Sequence, residues 1–297
     1  MSDSPTKNQN QPEAGDLIAS AFGRAVQLGG LATRMGAALI GTRLRLPFAD
    51  EIARGELLKS IYIREAERLV DRLSNLKGAA MKFGQMLSVM ESGMSGALPP
   101  EVSAILARLQ KDARPLAYDT TIAPVLAAEL GAAKLAQLAE INPEALACAS
   151  IGQVHRARTR DGREIVLKIQ YPDMPRIVRS DIKNLKVLVK PFTALLGIRN
   201  MDAIWAELEA RLYEELDYIR EAEHLREMGA LLADAEGVIV PEVVPEYSTE
   251  RVLAMTYEPG LSGAALDDES RVDQALRDRW GQTLARTLLD SMFVHRF

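Results

Sequence analysis

Lys168 is the natural starting point for any chemistry this chain performs. It interrupts the apolar run Ile165-Val166-Leu167-Lys168-Ile169, which has strand character. An ammonium group presented from a strand can be set against phosphate oxygens when a carboxylate holds it in position. Candidate carboxylates follow at Glu215, Asp217 and Glu221. Asp217 and Glu221 are four residues apart and share a helical face, whereas Glu215 lies about 120° further round, so the three need not serve one purpose. Ahead of the lysine, Ala147, Cys148, Ala149 and Ser150 form a run of small side chains. Gly78, Lys82, Gln85 and Val89 recur at spacings of four, three and four, off the main apolar stripe of their segment. That helix therefore has a second working face. His155 and His224 have no neighbours at metal-ligand spacing and read as structural.

The elements that must position these groups can be read from periodicity. Ala145–Thr159 and Glu164–Gln170 are strand-like, and Asp161-Gly162 between them signals a hairpin turn. In the second strand Ile165, Leu167 and Ile169 face one way, and Val166, Lys168 and Gln170 the other. Leu58, Tyr62, Ala66, Leu69, Leu73, Leu76, Ala80, Phe83, Leu87 and Met90 mark one long amphipathic helix. Asp119 suits the N-cap of a later helix that Gly131 ends, which makes the first 140 residues wholly helical. Further helices are expected from Pro175 to about Leu196 and from Asp202 to about Leu232. Strands are expected at Val238–Val240 and Arg251–Thr256. After Pro259-Gly260, a last helix carries Val272, Leu276, Trp280, Leu284 and Leu288.

The fold class is α+β. The chain divides into a disordered tail (1–16), a basic apolar helical segment (17–50), a helical extension bearing Lys82 and Gln85 (51–140), a small sheet with helices (141–256), and a segment that breaks at Pro259-Gly260 and ends in a helix (257–297).

At 297 residues there is room for two ordinary domains. Lys and Arg number 36 against 41 Asp and Glu, a net charge of −5, which argues against a dedicated nucleic-acid binder. The single Cys148 excludes an internal disulfide and suits a reducing compartment, with the cytoplasm as the default. No apolar run reaches the roughly 18–20 residues of a spanning helix. Between Asp16 and Asp50, however, Arg24, Arg34, Arg43 and Arg45 punctuate a segment without acidic residues. Its apolar positions lie all round a helical wheel, so it must be covered either by protein, including a homodimer partner, or by an anionic bilayer surface.

The order of a hairpin with a small-residue first strand, a lysine in the next strand, an acidic helix and a strand ending at Pro-Gly is that of a kinase N-lobe. Four motifs sharpen the likeness: Lys82-Phe83-Gly84-Gln85, Ala147-Cys148-Ala149-Ser150-Ile151-Gly152-Gln153-Val154-His155, Leu167-Lys168-Ile169-Gln170-Tyr171-Pro172, and Glu215-Leu216-Asp217-Tyr218 with Glu221-Ala222. Together they closely resemble the UbiB/AarF family of atypical protein-kinase-like proteins, from about Leu57 onward. That resemblance makes residues 141–256 a kinase-like N-lobe with a small antiparallel sheet, followed by a hinge and the start of a second, helical lobe (257–297).

The resemblance implies a nucleotide site for ATP or ADP with Mg²⁺, in which Glu221 is the carboxylate that holds Lys168. Ala147, Cys148, Ala149 and Ser150 stand where ordinary kinases have a Gly-rich loop over the phosphates, and in this family the alanine-rich loop goes with altered nucleotide preference and suppressed protein-kinase activity. Val154 and Val166 would touch the adenine, and Ala254–Glu258 would form the hinge. Met255 is then either gatekeeper-like or plain core, while Thr256 and Tyr257 depart from what relatives often carry. Lys82 and Gln85 would point at the nucleotide site in a regulatory role, with Glu215 and Asp217 as partners of Lys82.

The implied function is ATP hydrolysis or phosphorylation of a small-molecule or lipid-like substrate in support of ubiquinone biosynthesis, with ubiquinone-biosynthesis proteins as partners at the inner face of a membrane. The family continues into a catalytic loop and a metal-binding Asp, whereas these residues end at Val294-His295-Arg296-Phe297. The expectation is a fragment with no complete catalytic set and no metal ligands. His295, just before the expected loop, reads as structural. The alternative is a non-catalytic nucleotide-sensing scaffold that acts on partner enzymes.

Overall fold

The computed structural model describes residues 115–149, 151–196, 201–261 and 272–295, together with Ser60, Ile63, Arg64, Glu67 and Gly263. Its centre is a four-stranded antiparallel sheet in the order β1-β2-β3-β4. The strands are β1 (Leu138–Cys148), β2 (Gly152–Thr159), β3 (Glu164–Gln170) and β4 (Val252–Thr256). Register places Val154, Lys168 and Leu253 in one row across the sheet, and Arg156, Val166 and Met255 in the next. Period-two alternation puts both rows on the same face.

The opposite face is closed. Ile165, Leu167 and Ile169 are almost fully buried there and belong to one core with Leu116, Ile122, Val125, Leu126 and Leu130. The last three of these are carried by α1 (Ala123–Leu135). Burying each such side chain stabilises the fold by about 1.5–3 kcal/mol. Gly152 opens β2 where the chain passes very close to β3: a Cβ there would lie 2.2 Å from the Ile169 carbonyl oxygen. Only glycine fits without displacing a strand.

Three helices follow β3. In α2 (Met174–Leu196), Ile177, Val178, Ile182, Leu185 and Val189 recur at helical spacing and are buried. In α3 (Asp202–Glu215), Trp205, Leu208 and Leu212 are buried, and α3 touches α2. α4 (Tyr218–Leu231) touches β4 and contributes Tyr218 and Ala222 to the core. The final helix, α5 (Gln274–Leu289), is capped by Asp273, whose carboxylate accepts the Leu276 N–H at 2.8 Å, and buries none of its residues. Leu284 and, just beyond the helix, Phe293 remain 69% and 73% exposed.

Several expectations need correction. The first 140 residues are not wholly helical, since β1 begins at Leu138 and α1 shares the core of the sheet. Asn142-Pro143-Glu144 lies within that edge strand, whose register is irregular between Ile141 and Ala145. Asp119 lies inside a first, π-type turn (Tyr118–Ile122) and not at an N-cap. Gly131, at φ +69°, breaks regular geometry, but the hydrogen-bonded helix resumes to Leu135. The helix expected from Asp202 to Leu232 is two, α3 and α4, parted at Leu216-Asp217. Val238–Val240 is not a strand: Ile239 is 73% exposed, and sheet pairing comes instead from a single bridge between Val243 and Met255. Among the described residues no helix is long and apolar enough to cross a membrane. The tail and the 17–50 segment, with the helix of Lys82 and Gln85, lie outside the described residues, as does Ser150.

Candidate functional site

Lys168 projects from β3 on the open face of the sheet. Its Nζ donates to both carboxylate oxygens of Glu221, Oε1 at 2.5 Å and Oε2 at 2.8 Å, across 53 residues of sequence. The pair is partly withdrawn from solvent, with side chains 20% and 36% exposed. Two local contacts set this geometry. Gln170, two residues on in the strand, donates from Nε2 to the Leu216 carbonyl at 2.6 Å, which ties the end of β3 to the α3–α4 junction. Asp217 caps α4 by accepting the Arg220 N–H at 2.9 Å, and Glu221 then falls one turn into the helix.

Beneath the lysine lies Tyr218, whose ring centroid is 4.8 Å from Nζ, a cation–π distance. The phenol is buried, and its hydroxyl has no hydrogen-bond partner among the described residues. Burial first, then the charges of Glu221 and Glu215, push its ionisation well above the usual tyrosine range.

A cleft of about 530 Å³ opens over this pair, lined by Ala149, Ile151, Lys168, Arg211, Glu214, Glu215, Arg220, Glu221 and His224. Of the candidate residues, Ala149, Lys168, Glu215 and Glu221 thus meet in one place. The β1–β2 turn at its edge is closed by the Ala149 N–H donating to the Gly152 carbonyl at 2.9 Å. Ala147 is exposed and pairs with Val154, and half-buried Cys148 pairs with Gln153. Asp217 does not line the cleft, because its carboxylate serves as the cap. Helical spacing alone grouped it with Glu221; the helix break separates their roles.

Val154, Val166 and Met255 continue the open face beside Lys168 but do not line the cleft itself. Met255 also packs against the core, as the plain-core reading expects. In the hinge segment, the Thr256 and Tyr257 N–H groups donate to the Glu242 carbonyl at 2.9 Å and the Glu164 carbonyl at 3.2 Å. These two N–H groups are thus engaged within the chain. The Thr256 hydroxyl donates to Glu258 at 3.0 Å, and the Arg156 guanidinium stacks 4.1 Å over the Tyr257 ring while pairing with Glu164 at 2.5 Å.

Two features escaped sequence reasoning. Arg220 and His224, four residues apart on α4, line the cleft beside Glu221. The second is a buried polar chain on the closed side. The Gln153 Oε1 accepts the Leu116 N–H at 2.9 Å, and its Nε2 donates to the Leu116 carbonyl at 3.3 Å and to His155 Nε2 at 2.8 Å. His155 in turn donates from Nδ1 to the Asn142 carbonyl at 2.8 Å. This fixes the neutral tautomer, and burial holds the imidazole below its ordinary pKa against the opposing Asn142 bond.

Among the described residues no cluster of three or more ligating side chains could hold a metal ion. These residues alone do not fit a resident Mg²⁺ site, which would need octahedral oxygen ligation.

Residues 108–297 match the ABC1 atypical kinase-like domain, and the chain belongs to that family of kinase-like fold. It is similar to the atypical kinase COQ8B, mitochondrial, of Danio rerio, 33% identical over 282 residues that cover 94% of this chain and 44% of the relative. It is also similar to the atypical kinase COQ8, mitochondrial, of Saccharomyces cerevisiae, 30% identical over 265 residues, 88% of this chain and 52% of that one. The chain spans about half the length of the curated relatives it matches. Among solved structures it resembles the Rv3197–erythromycin complex from Mycobacterium tuberculosis, at 34% identity and a TM-score of 0.44, covering 72% of this chain and 53% of that one.

Proposed function

We propose that the cleft binds ATP or ADP, with Lys168 against the phosphates and Glu221 orienting it, in support of ATP hydrolysis or phosphoryl transfer to a small-molecule or lipid-like acceptor in ubiquinone biosynthesis. The carrying observation is the lysine–carboxylate pair, made with both oxygens across 53 residues at the floor of a cleft. A strand lysine without function would point into solvent; this one is held between a carboxylate and an aromatic ring. In this reading Val154, Val166 and Met255 form the apolar bed for the base. The remaining polar groups of the hinge, among them those of Glu258, read its edge. Mg²⁺ brought by the nucleotide would supply charge neutralisation at the phosphates, and the described side chains would not hold it by themselves.

Titration calorimetry with ATP tests this. Lys168→Ala and Glu221→Ala should each weaken binding by about tenfold or more, the scale of a lost charge-assisted contact. The double variant should be little worse than either single, because the two side chains act as one unit. Fully additive losses would show that they are not one.

The segment 17–50 is assigned in the same reading to an anionic bilayer surface, where its arginines and apolar side chains act together. Sedimentation with liposomes should rise with anionic lipid and fall with salt. A chain starting at Asp50 that sediments equally would assign the segment to protein packing.

A further inference from the structure

The cleft holds more positive charge than the Lys168–Glu221 pair engages. Arg211, from the last turns of α3, and Arg220 and His224, from α4, line it as well. Round α4, His224 stands about 40° and Glu221 about 100° from Arg220, so guanidinium, imidazole and carboxylate occupy one arc facing the cleft.

The two arginines are not held alike. Arg211 is gripped on two sides, with Nε 2.8 Å from Glu207 and Nη1 3.0 Å from Glu214. Arg220 lies 3.9 Å from Glu214, and its side chain is 53% exposed. An ion pair at that distance between half-exposed side chains contributes little. Arg220 can therefore swing to an incoming anion at small cost, and a guanidinium fork matches phosphate oxygens better than an ammonium does. Glu214 and Glu215 also face the cleft and oppose any anion, and Glu214 competes with it for Arg220.

We propose that Arg220, flanked by His224, is a second anion-binding position in the cleft that takes a phosphate group beyond the one engaged by Lys168. This rests on the reading of the cleft as a nucleotide site. Two sources present the same oxygens: the terminal phosphate of the nucleotide, or a phosphate on a separate molecule.

Calorimetric titrations of ATP, of ADP, and of inorganic phosphate in saturating ADP separate them. They are made on wild type, Arg220→Gln, Glu214→Gln and Lys168→Ala, with circular dichroism melts confirming that each variant folds. If the group is the nucleotide's terminal phosphate, Arg220→Gln weakens ATP about tenfold and leaves ADP within about twofold. If it belongs to a separate molecule, ATP and ADP are unchanged and phosphate binding is lost. In either case Glu214→Gln, which removes the competing carboxylate, strengthens the affected ligand. A folded Arg220→Gln protein with wild-type affinity for all three ligands overturns the proposal, as does weakening by Glu214→Gln. Wild-type ATP affinity in Lys168→Ala instead overturns the nucleotide reading, and the phosphate titration of Arg220→Gln still judges the anion position.

Discussion

The two faces of the sheet are made from alternate residues of the same strands, yet their chemistry is opposite. On one, Ile165, Leu167 and Ile169 are sealed beneath α1 with no more than 1% exposure. On the other, Val154, Lys168 and Met255 are only partly buried, Lys168 is paired with Glu221 of α4, and Arg156 is paired with Glu164 of β3 over the Tyr257 ring. Because the strand period is two, a slip of one residue in β3 would bury Lys168 and expose Leu167. Register is thus what the closed face supplies to the open one, and the two should respond to mutation in different currencies, stability on one side and ligand affinity on the other.

The largest test of that separation is Leu167→Ala, which should cost about 2–5 kcal/mol of stability through lost burial and a residual cavity. Gly152→Ala should be comparably damaging, since its methyl must displace the Ile169 carbonyl. Lys168→Ala, a residue away on the other face, should change the urea unfolding free energy by less than about 1 kcal/mol while abolishing most ATP binding. If Lys168→Ala proves as destabilising as Leu167→Ala, the faces are not separable and the lysine is a structural residue.

An effect of the same order comes from the polar chain that runs through the closed side. Gln153→Ala leaves the Leu116 N–H and a ring nitrogen of His155 without partners, at about 1–3 kcal/mol for each buried group. His155 adds a pH dependence whose sign follows from its lowered pKa. The unfolded chain takes up the proton first, so stability falls as pH drops below about 6.5 towards the folded pKa, and is unaffected as pH rises above that range. Urea midpoints at pH 5.5 and 7.5 should differ for the wild type and draw together in His155→Gln. An unchanged difference in His155→Gln would place the titrating group elsewhere.

The closed face was the more legible of the two. Alternation in Ile165–Ile169 and the Asp161-Gly162 turn, with Gly162 at φ +91°, reveal the β2–β3 hairpin without further context. The Lys168–Glu221 pairing spans 53 residues, and only resemblance to a known motif order could propose it. Where sequence reasoning failed, one pattern has two physical solutions. Asp217 at helical spacing from Glu221 can be an interior residue or a cap, and only the break at Leu216 decides. Arg220 and His224 look like any solvated helix face until β3 brings a cleft against them. Gln153 gives no sign in its local sequence that its amide pairs with Leu116, 37 residues earlier.

The finest test lies where the two faces meet, at the turn between β1 and β2. Ala149 lines the cleft and closes the turn with its N–H to the Gly152 carbonyl at 2.9 Å. Its φ is not in the left-handed region, where glycine would be favoured, so Ala149→Gly keeps the turn accessible and removes only a methyl from the cleft wall. The substitution also widens the conformations open to the unfolded chain, which costs about 0.4–1 kcal/mol. Stability should therefore fall slightly. Affinity should shift more for one of ATP and ADP than for the other, by a few-fold, because a relaxed turn lets backbone N–H groups approach the phosphates more closely. Parallel titrations of both nucleotides read this out. If both affinities stay at wild-type values while the melting temperature drops, Ala149 belongs to the packing of the closed face and the boundary between the two faces must be drawn beyond it.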